Sequence, residues 1–276
     1  MPDTSTQQTA IPFSGFDIPD PLDLPSLKTS VSDAEWALRC ELAATYRLCA
    51  LHGWEDHIFT HISARLPDDA GRKRFLLNPY GVSFEEMTAS ALIIVDEDGE
   101  VIGDTPYFSN PAGFTIHSAL HMARPDAHCV LHLHSPYGVA VSAQQDGLQP
   151  ITQFAMVVHD DVAYHDYEGI ATDLDERERL VRDMGNHGSL ILRNHGTLTV
   201  GENCAIAFLR MYFLEQACRT QILAQSDTKP PLKCTSDLSA KVYEQGSPAF
   251  KPGMGDNLVW PAFLRKLKRH NPGWDV

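Results

Sequence analysis

The chain has 276 residues, 43% of them hydrophobic, enough for one sizeable core or for a core of about 200 residues with arms at both ends. Its 36 acidic and 22 basic side chains give a formal net charge of -14; this excludes a protein built to neutralise nucleic-acid phosphate or an anionic membrane, because both need clustered Lys and Arg. Six cysteines without a CxxC pair, no charged-then-apolar leader and no run of roughly 18 apolar residues point to a soluble protein of the reducing cytoplasm whose partners are small molecules or copies of itself.

Residues 1–30 carry Pro2, Pro12, Pro19, Pro21 and Pro25 among polar neighbours. They form no regular helix and are expected to be an arm, either disordered or laid over a neighbour. Order begins at "SDAEWALRCELAATYRLCALHG", where Ser32 and Glu35 offer a capping box, apolar residues follow at helical period and Gly53 supplies the stop. Short strand signals come next in "HISARL", "RFLLN" and "ALIIVDEDGEVI", the last with Asp98-Gly99 between apolar runs, as in a hairpin. "PAGFTIHSALHMARPD" returns to helical spacing and ends at Pro125. The sequence then predicts a strand through "HCVLHLHS", a helix from Pro136 to about Gln144, a strand over "QFAMVVH" and a helix from about Asp173 to Asn186. The strand "SLILR", the turn "NHG" and a long helix from about Asn203 to Gln225 complete a domain over residues 31–225. Residues 226–276 are an extension: a polar stretch to about Asp256, then a short amphipathic segment, "LVWPAFLRKLKRH". There is no internal repeat and no GxGxxG or GxxxxGK[ST] phosphate loop. Strands alternate with helices while hairpins imply antiparallel pairing, so the expected fold is α/β, three-layered α/β/α, over a mixed, largely antiparallel central sheet.

The histidines carry the chemistry. In a strand, residues two apart point to the same face, roughly 6.5 to 7 Å apart along the chain, so His132 and His134 can aim both rings at one point. With Zn–N bonds of about 2.1 Å, one divalent ion bridges that gap. In isolation the same pair also suits polar tips hydrogen-bonded in a core or interface. His128 shares their parity but lies further back and is expected to be a strand-end residue. "LILRNHGTLTVG" offers a third ligand: His195 sits in a tight turn where Asn194 and Gly196 tolerate unusual backbone angles and expose the ring. A simple turn residue is the other reading of His195.

The stretches "THISARL", "NPYGVSFEEMTASALIIVD", "RPDAHCVLHLHSPYGVAVSA" and "LRNHGTLTVG" resemble, in that order, the class II aldolase/adducin family, and especially its bacterial adducin-like branch. The ending "WPAFLRKLKRHNPGWDV" is similar to that branch too. The resemblance covers roughly residues 32–225. It implies a class II aldolase-like α/β/α fold and a ring-shaped homotetramer with sites between subunits. It also implies a divalent ion, usually zinc, held by His132, His134 and His195, with Mn2+, Fe2+ or Co2+ as alternatives.

The sequence departs from the family where the sugar-phosphate aldolases bind phosphate. Their Pro-Ser-Ser-Glu segment supplies phosphate contacts and the acid/base glutamate; here "SNPAGFTIH" puts Pro111 and Ala112 at the serines and Gly113 at the glutamate. The family's GNxS loop reads "THIS", with His61 at the asparagine, and its Thr-Gly loop reads "NPYG", with Tyr80 at the threonine and Gly81 retained. A phosphorylated ketose is therefore not the expected substrate. Proton transfer falls to His61, Tyr80 and Tyr164, with Tyr137 and His117 behind them, and His117 is better explained as a core residue paired with His121 one turn on. Asn78, Gly81, Ser109 and Gly113 are the substrate-binding candidates, with Arg65 available for a carboxylate. His159 and His165 have no spacing that compels a role.

The resulting expectation is a divalent-metal-dependent lyase, by retro-aldol cleavage or decarboxylation, acting on a non-phosphorylated hydroxy or keto acid, aromatic ones included, with the metal stabilising an enolate. Two other classes fit the same residues. Three histidines can hold ferrous iron in an oxygenase for an aromatic hydroxy or keto acid. Adducin heads keep this fold as a non-enzymatic assembly module, although no long basic tail follows the domain here.

Overall fold

A computed structural model of the chain describes residues 18–69, 71–169 and 175–276, and the backbone alone for 111–115. Helix α1 spans Asp33–Leu51 and is followed by strands β1 (His61–Arg65), β2 (Phe75–Leu77), β3 (Ile93–Val95) and β4 (Val101–Ile102). Then come α2 (Pro111–Ala123), β5 (Cys129–Leu133), α3 (Pro136–Ser142), α4 (Gln153–Val158), β6 (Val162–His165) and α5 (Glu176–Met184). Strands β7 (Ser189–Leu192) and β8 (Gly196–Gly201) precede α6 (Cys204–Gln225), α7 (Ser236–Gly246) and α8 (Trp260–His270). The eight strands form one sheet in the order β4-β3-β2-β1-β5-β8-β7-β6. Among its pairs only β6 with β7 is parallel.

Strand alternation sorts side chains between two cores and makes the layers. Leu131 and Leu133 of β5 and Ile62 and Ala64 of β1 join the larger core, which also holds Leu42 and Leu48 of α1 and Phe208 and Leu214 of α6. Val130 of β5 and Leu198 and Val200 of β8 face the other way and pack with Ile116 and Leu120 of α2 and Leu180 and Met184 of α5. His132 shares the parity of Val130, and His61 is paired directly opposite it. Both therefore lie on the α2 side of the sheet.

Helix α1 begins as expected: the Ser32 hydroxyl accepts the Glu35 N–H at 3.2 Å, and Gly53 ends the run at φ +70°. The reciprocal half of the capping box is absent, because the Glu35 carboxylate pairs with Arg39 at 2.9 Å. The Arg39 guanidinium is buried and donates to the carbonyls of Ala89 and Leu92.

Two expectations about secondary structure are corrected. "QFAMVVH" is helix α4, not a strand; the strand follows it as β6. The Thr152 hydroxyl caps α4 by accepting from the Ala155 N–H at 3.3 Å, and Ala155 to Val158 are all buried between α6 and α7. A short apolar run buried on every side has no period by which helix and strand can be told apart. The polar stretch 226–256 contains α7, capped by Thr235 and packed on α4. The expected helix over 173–186 is described from Glu176, since residues 170–174 lie outside the description, as do residues 1–17 of the proposed arm.

Both ends of the described chain lie on the segment around Ser90. Tyr107 donates to the Pro19 carbonyl at 3.0 Å, and Leu27 N–H donates to the Ser90 hydroxyl at 3.1 Å. From the other end, Ala89 and Ser90 N–H groups donate to the carbonyls of Trp274 and Val276 at 2.8 and 3.0 Å. Arg47 of α1 holds Asn271 and Pro272, each at 2.6 Å.

Glu215 of α6 is 1% exposed. Its Oε1 accepts from the Thr197 hydroxyl at 3.2 Å, Ser135 bonds it too, and its Oε2 has no partner. Burial pushes this carboxyl from an ordinary 4.5 up to about 7, against the lowering effect of its hydroxyl partners. A carboxyl whose folded pKa is raised favours the protonated fold, so its stability is complete below 4.5 and is lost as pH rises through about 7. Glu215→Gln, which mimics the protonated acid, should therefore gain on the wild type by on the order of 3 kcal/mol between pH 4.5 and pH 8. Urea unfolding of both proteins across that range checks it, and parallel pH profiles would contradict it.

Candidate metal centre

Two close backbone approaches assemble the site. Strands β5 and β8 are antiparallel neighbours with His132 opposite Leu198 and Leu133 opposite Thr197. The turn entering β8 therefore lies against the end of β5. Asn194 occupies the left-handed region at φ +57° and donates its N–H to the Ser142 carbonyl at 3.1 Å. Gly196 comes so near β5 that a Cβ there would sit 2.4 Å from the Leu133 carbonyl oxygen, so only glycine lets the turn close.

The consequence is that His132, His134 and His195 meet. Each pair of rings has its centroids 4.8 Å apart, and one nitrogen from each lies within 4.8 Å of the others. The Nε2 atoms of His132 and His134 are 3.1 Å apart, near the roughly 3.4 Å expected for two nitrogens bound tetrahedrally to one ion at about 2.1 Å. Among the described residues this is the one group of three such side chains placed to hold a metal ion.

The other ring nitrogens of His132 and His134 are anchored. His132 Nδ1 lies 3.1 Å from the Thr197 carbonyl and His134 Nδ1 lies 2.9 Å from Asp56 Oδ2. A carbonyl and a carboxylate only accept, so each Nδ1 carries the proton and each Nε2 keeps its lone pair for an ion. Burial, reinforced by the neighbouring imidazoles, pushes His132 well below its ordinary value and His195 down to about 4. His132 and His195 are thus neutral near pH 7, which is the ligating form. This donor set fits a divalent ion of the zinc type.

Asp56 escaped the sequence because nothing in its spacing marks it. Its loop is held by Trp54, which is 6% exposed and stacks on His52 at 4.6 Å beside Phe208. Tyr167 was missed too: its ring meets His195 edge-on at 6.3 Å and is 53% exposed. Of the proton-transfer candidates, His61 is nearest the ligands, its ring 5.6 Å from that of His132. Its Nδ1 lies 3.0 Å from Nε2 of His117, which is fully buried as expected of a core residue.

The remaining candidates have structural bonds. Tyr164 accepts the Leu148 N–H at 2.9 Å, with the Arg193 guanidinium 4.4 Å above its ring. Tyr80 packs edge-on against Phe108, and Tyr137 lies under Arg219. Asn78 is buried and its side-chain carbonyl accepts from Tyr46 at 2.9 Å. Gly81, at φ +99°, lies beneath Ile18, and the Ser109 hydroxyl donates to the Gly99 carbonyl at 3.1 Å. Arg65 holds the end of α2 through the carbonyls of His121 and Arg124. His128 is exposed just before β5. His159 pairs with Asp160, and His165 is buried between Asp183 and Glu176. The surroundings of Gly113 lie outside the described residues.

The sheet with its layered helices and the histidine cluster together define a protein of the class II aldolase type. Residues 40–222 match the Class II Aldolase and Adducin N-terminal domain. A Caulobacter vibrioides protein named "Putative aldolase class 2 protein" is 54% identical over 249 residues, spanning 90% of this chain and 96% of that one. The crystal structure of an aldolase II superfamily protein from Pseudomonas syringae shares 46% identity, with a TM-score of 0.85 over 91% of this chain and 100% of that one. Alpha-adducin of Mus musculus is 41% identical over 233 residues, 82% of this chain but 31% of the adducin. The chain belongs to the class II aldolase/adducin family. Among the described residues, no helix is long and apolar enough to cross a membrane.

Because Asp56 orients His134 rather than binding an ion, Asp56→Ala should keep the fold but weaken zinc binding by about tenfold to a hundredfold. Competition against a chromophoric chelator measures this; equal affinity in variant and wild type would remove Asp56 from the site.

Proposed function

We propose that the protein is a divalent-metal-dependent carbon–carbon lyase acting on a non-phosphorylated hydroxy or keto acid by retro-aldol cleavage or decarboxylation. One observation carries the reading: three imidazoles converge at the end of β5, two with their outer nitrogens anchored. Pro111, Ala112 and Gly113 at the positions of the phosphate-binding serines and the glutamate argue against a sugar phosphate. Zinc is the favoured ion, with Mn2+, Fe2+ and Co2+ able to use the same donors.

His132, His134 and His195 would hold the ion, which as a Lewis acid draws charge from substrate oxygens as a bond to carbon breaks. Thr197 and Asp56 keep two of the ligand rings oriented. His61, on the same face of the sheet, is the group we assign to proton transfer, where the sugar-phosphate aldolases use a glutamate. Tyr167 stands beside His195. A homotetramer with sites between subunits, in the cytoplasm, belongs to this proposal; the exposed rings of Phe59 and Tyr167 are surfaces a second copy would cover.

The likeness to alpha-adducin favours a second reading, a non-enzymatic assembly module on the same fold. Metal analysis separates them. Purified protein, dialysed against zinc, should hold one ion per chain, and His132→Ala should lose it. The loaded protein should also release pyruvate or carbon dioxide from a panel of hydroxy and keto acids. No ion regained from zinc, manganese, iron or cobalt would sink the lyase reading; an intact oligomer indifferent to His132→Ala and to every acid would favour the assembly module.

A further inference from the structure

A second set of imidazoles runs away from the metal centre into the core. On β1, His61 and Ser63 share a face; on α2, His117 and His121 are one turn apart and meet them. His61 Nδ1 is 3.0 Å from His117 Nε2, and His117 Nδ1 is 2.7 Å from Ser63 Oγ. Ser63 Oγ is 2.7 Å from His121 Nε2, and His121 Nδ1 is 2.7 Å from the Ala127 carbonyl. Ser63 and His117 are fully buried, His121 is 1% exposed, and Phe75 stacks on His121 at 4.8 Å. No water can rewrite these bonds, so their polarity is decided within the chain of groups.

The carbonyl at the far end decides it. A carbonyl only accepts, so His121 Nδ1 carries the proton. His121 and His117 lie in a dry core, where burial pushes His121 down to about 3 and His117 well below its ordinary value, so each of these two rings is neutral and carries one N–H. His121 Nε2 must then accept from the Ser63 hydroxyl. Ser63 has a single proton, now committed, so its oxygen accepts from His117 Nδ1–H. His117 Nε2 therefore accepts, and His61 Nδ1–H is its donor. The nitrogen of His61 turned away from His117 is left with a lone pair, on the strand position opposite the ligand His132.

We propose that His121, Ser63 and His117 are positioning residues that fix His61 in its Nδ1–H form, so that the metal centre presents a built hydrogen-bond acceptor. Such a site takes a ligand carrying an O–H or N–H donor. Applied to the lyase reading, on which this step rests, the substrate class becomes a hydroxy acid rather than its oxo counterpart. Where the family glutamate is replaced by Gly113, the accepting atom is His61 Nε2, held from four groups away.

Histidine-selective 15N labelling of the zinc-loaded protein, read by long-range proton–nitrogen correlation, tests the assignment directly. His61, His117 and His121 should each show Nδ1 protonated and Nε2 bare. Ser63→Thr, which keeps the hydroxyl, should preserve the pattern, while Ser63→Ala should return His61 and His117 to mixed tautomers with zinc stoichiometry unchanged. Lactate should bind wild type more tightly than pyruvate, and that preference should fall on the order of tenfold in Ser63→Ala, the scale of one hydrogen bond. His61 protonated at Nε2 in the wild type would overturn the proposal, whether or not Ser63→Ala folds. Failure to take up zinc would count against the metal reading alone, because the correlation reads the imidazoles in the unloaded protein equally well.

Discussion

The structure depends on one close contact, that of the turn before β8 with the end of β5. Gly196 has no side chain to hold off the Leu133 carbonyl, and Asn194 supplies the left-handed residue that folds the turn back. Without that approach His195 would stand apart from a strand pair that by itself offers two nitrogens. One ligand on β5, a second just past its end and a third on the turn into β8 make a rigid site, because all three backbones continue into the same sheet.

From there the polar groups divide between the two sides of the sheet. On the α2 side lie the ligand His132 and the buried series His61, His117, Ser63 and His121. On the α6 side, Thr197 sends its hydroxyl to Glu215 while its carbonyl reaches back to His132 Nδ1. Burying this much polarity costs stability unless it is satisfied, and here nearly every ring nitrogen has a partner. Glu215 Oε2 is an exception, and its carboxyl answers by holding a proton more tightly than an ordinary glutamate does. The cost of a dry interior and the neutral state of His132 and His195 have the same cause, since desolvation disfavours every charged form.

What was legible in the sequence follows from the range of each interaction. His132 and His134 announce themselves because a strand repeats every two residues, and His195 because Asn and Gly on either side signal a special turn. The sheet was legible as strand signals, and its antiparallel character as the Asp98-Gly99 turn. Helix α4 was not, because four consecutive buried residues, Ala155 to Val158, show no period. Asp56 lies 78 residues from His134, and Ser63 lies 54 and 58 residues from His117 and His121. Such partners meet only after the sheet has formed, and no local pattern encodes them. His117 and His121 looked like core residues and are core residues; what spacing could not show is that they carry hydrogen bonds to His61. Tyr164 looked equally placed for chemistry, yet its hydroxyl is held by the Leu148 N–H.

The central claim is that His132 on β5, His134 just past its end and His195 on the β7–β8 turn form one metal centre. X-ray absorption at the zinc edge of the loaded protein tests it most directly. The account predicts three imidazole nitrogens at about 2.0 to 2.1 Å with oxygen completing the shell. Fewer than three imidazoles, or sulfur at about 2.3 Å from any of the cysteines, would contradict it.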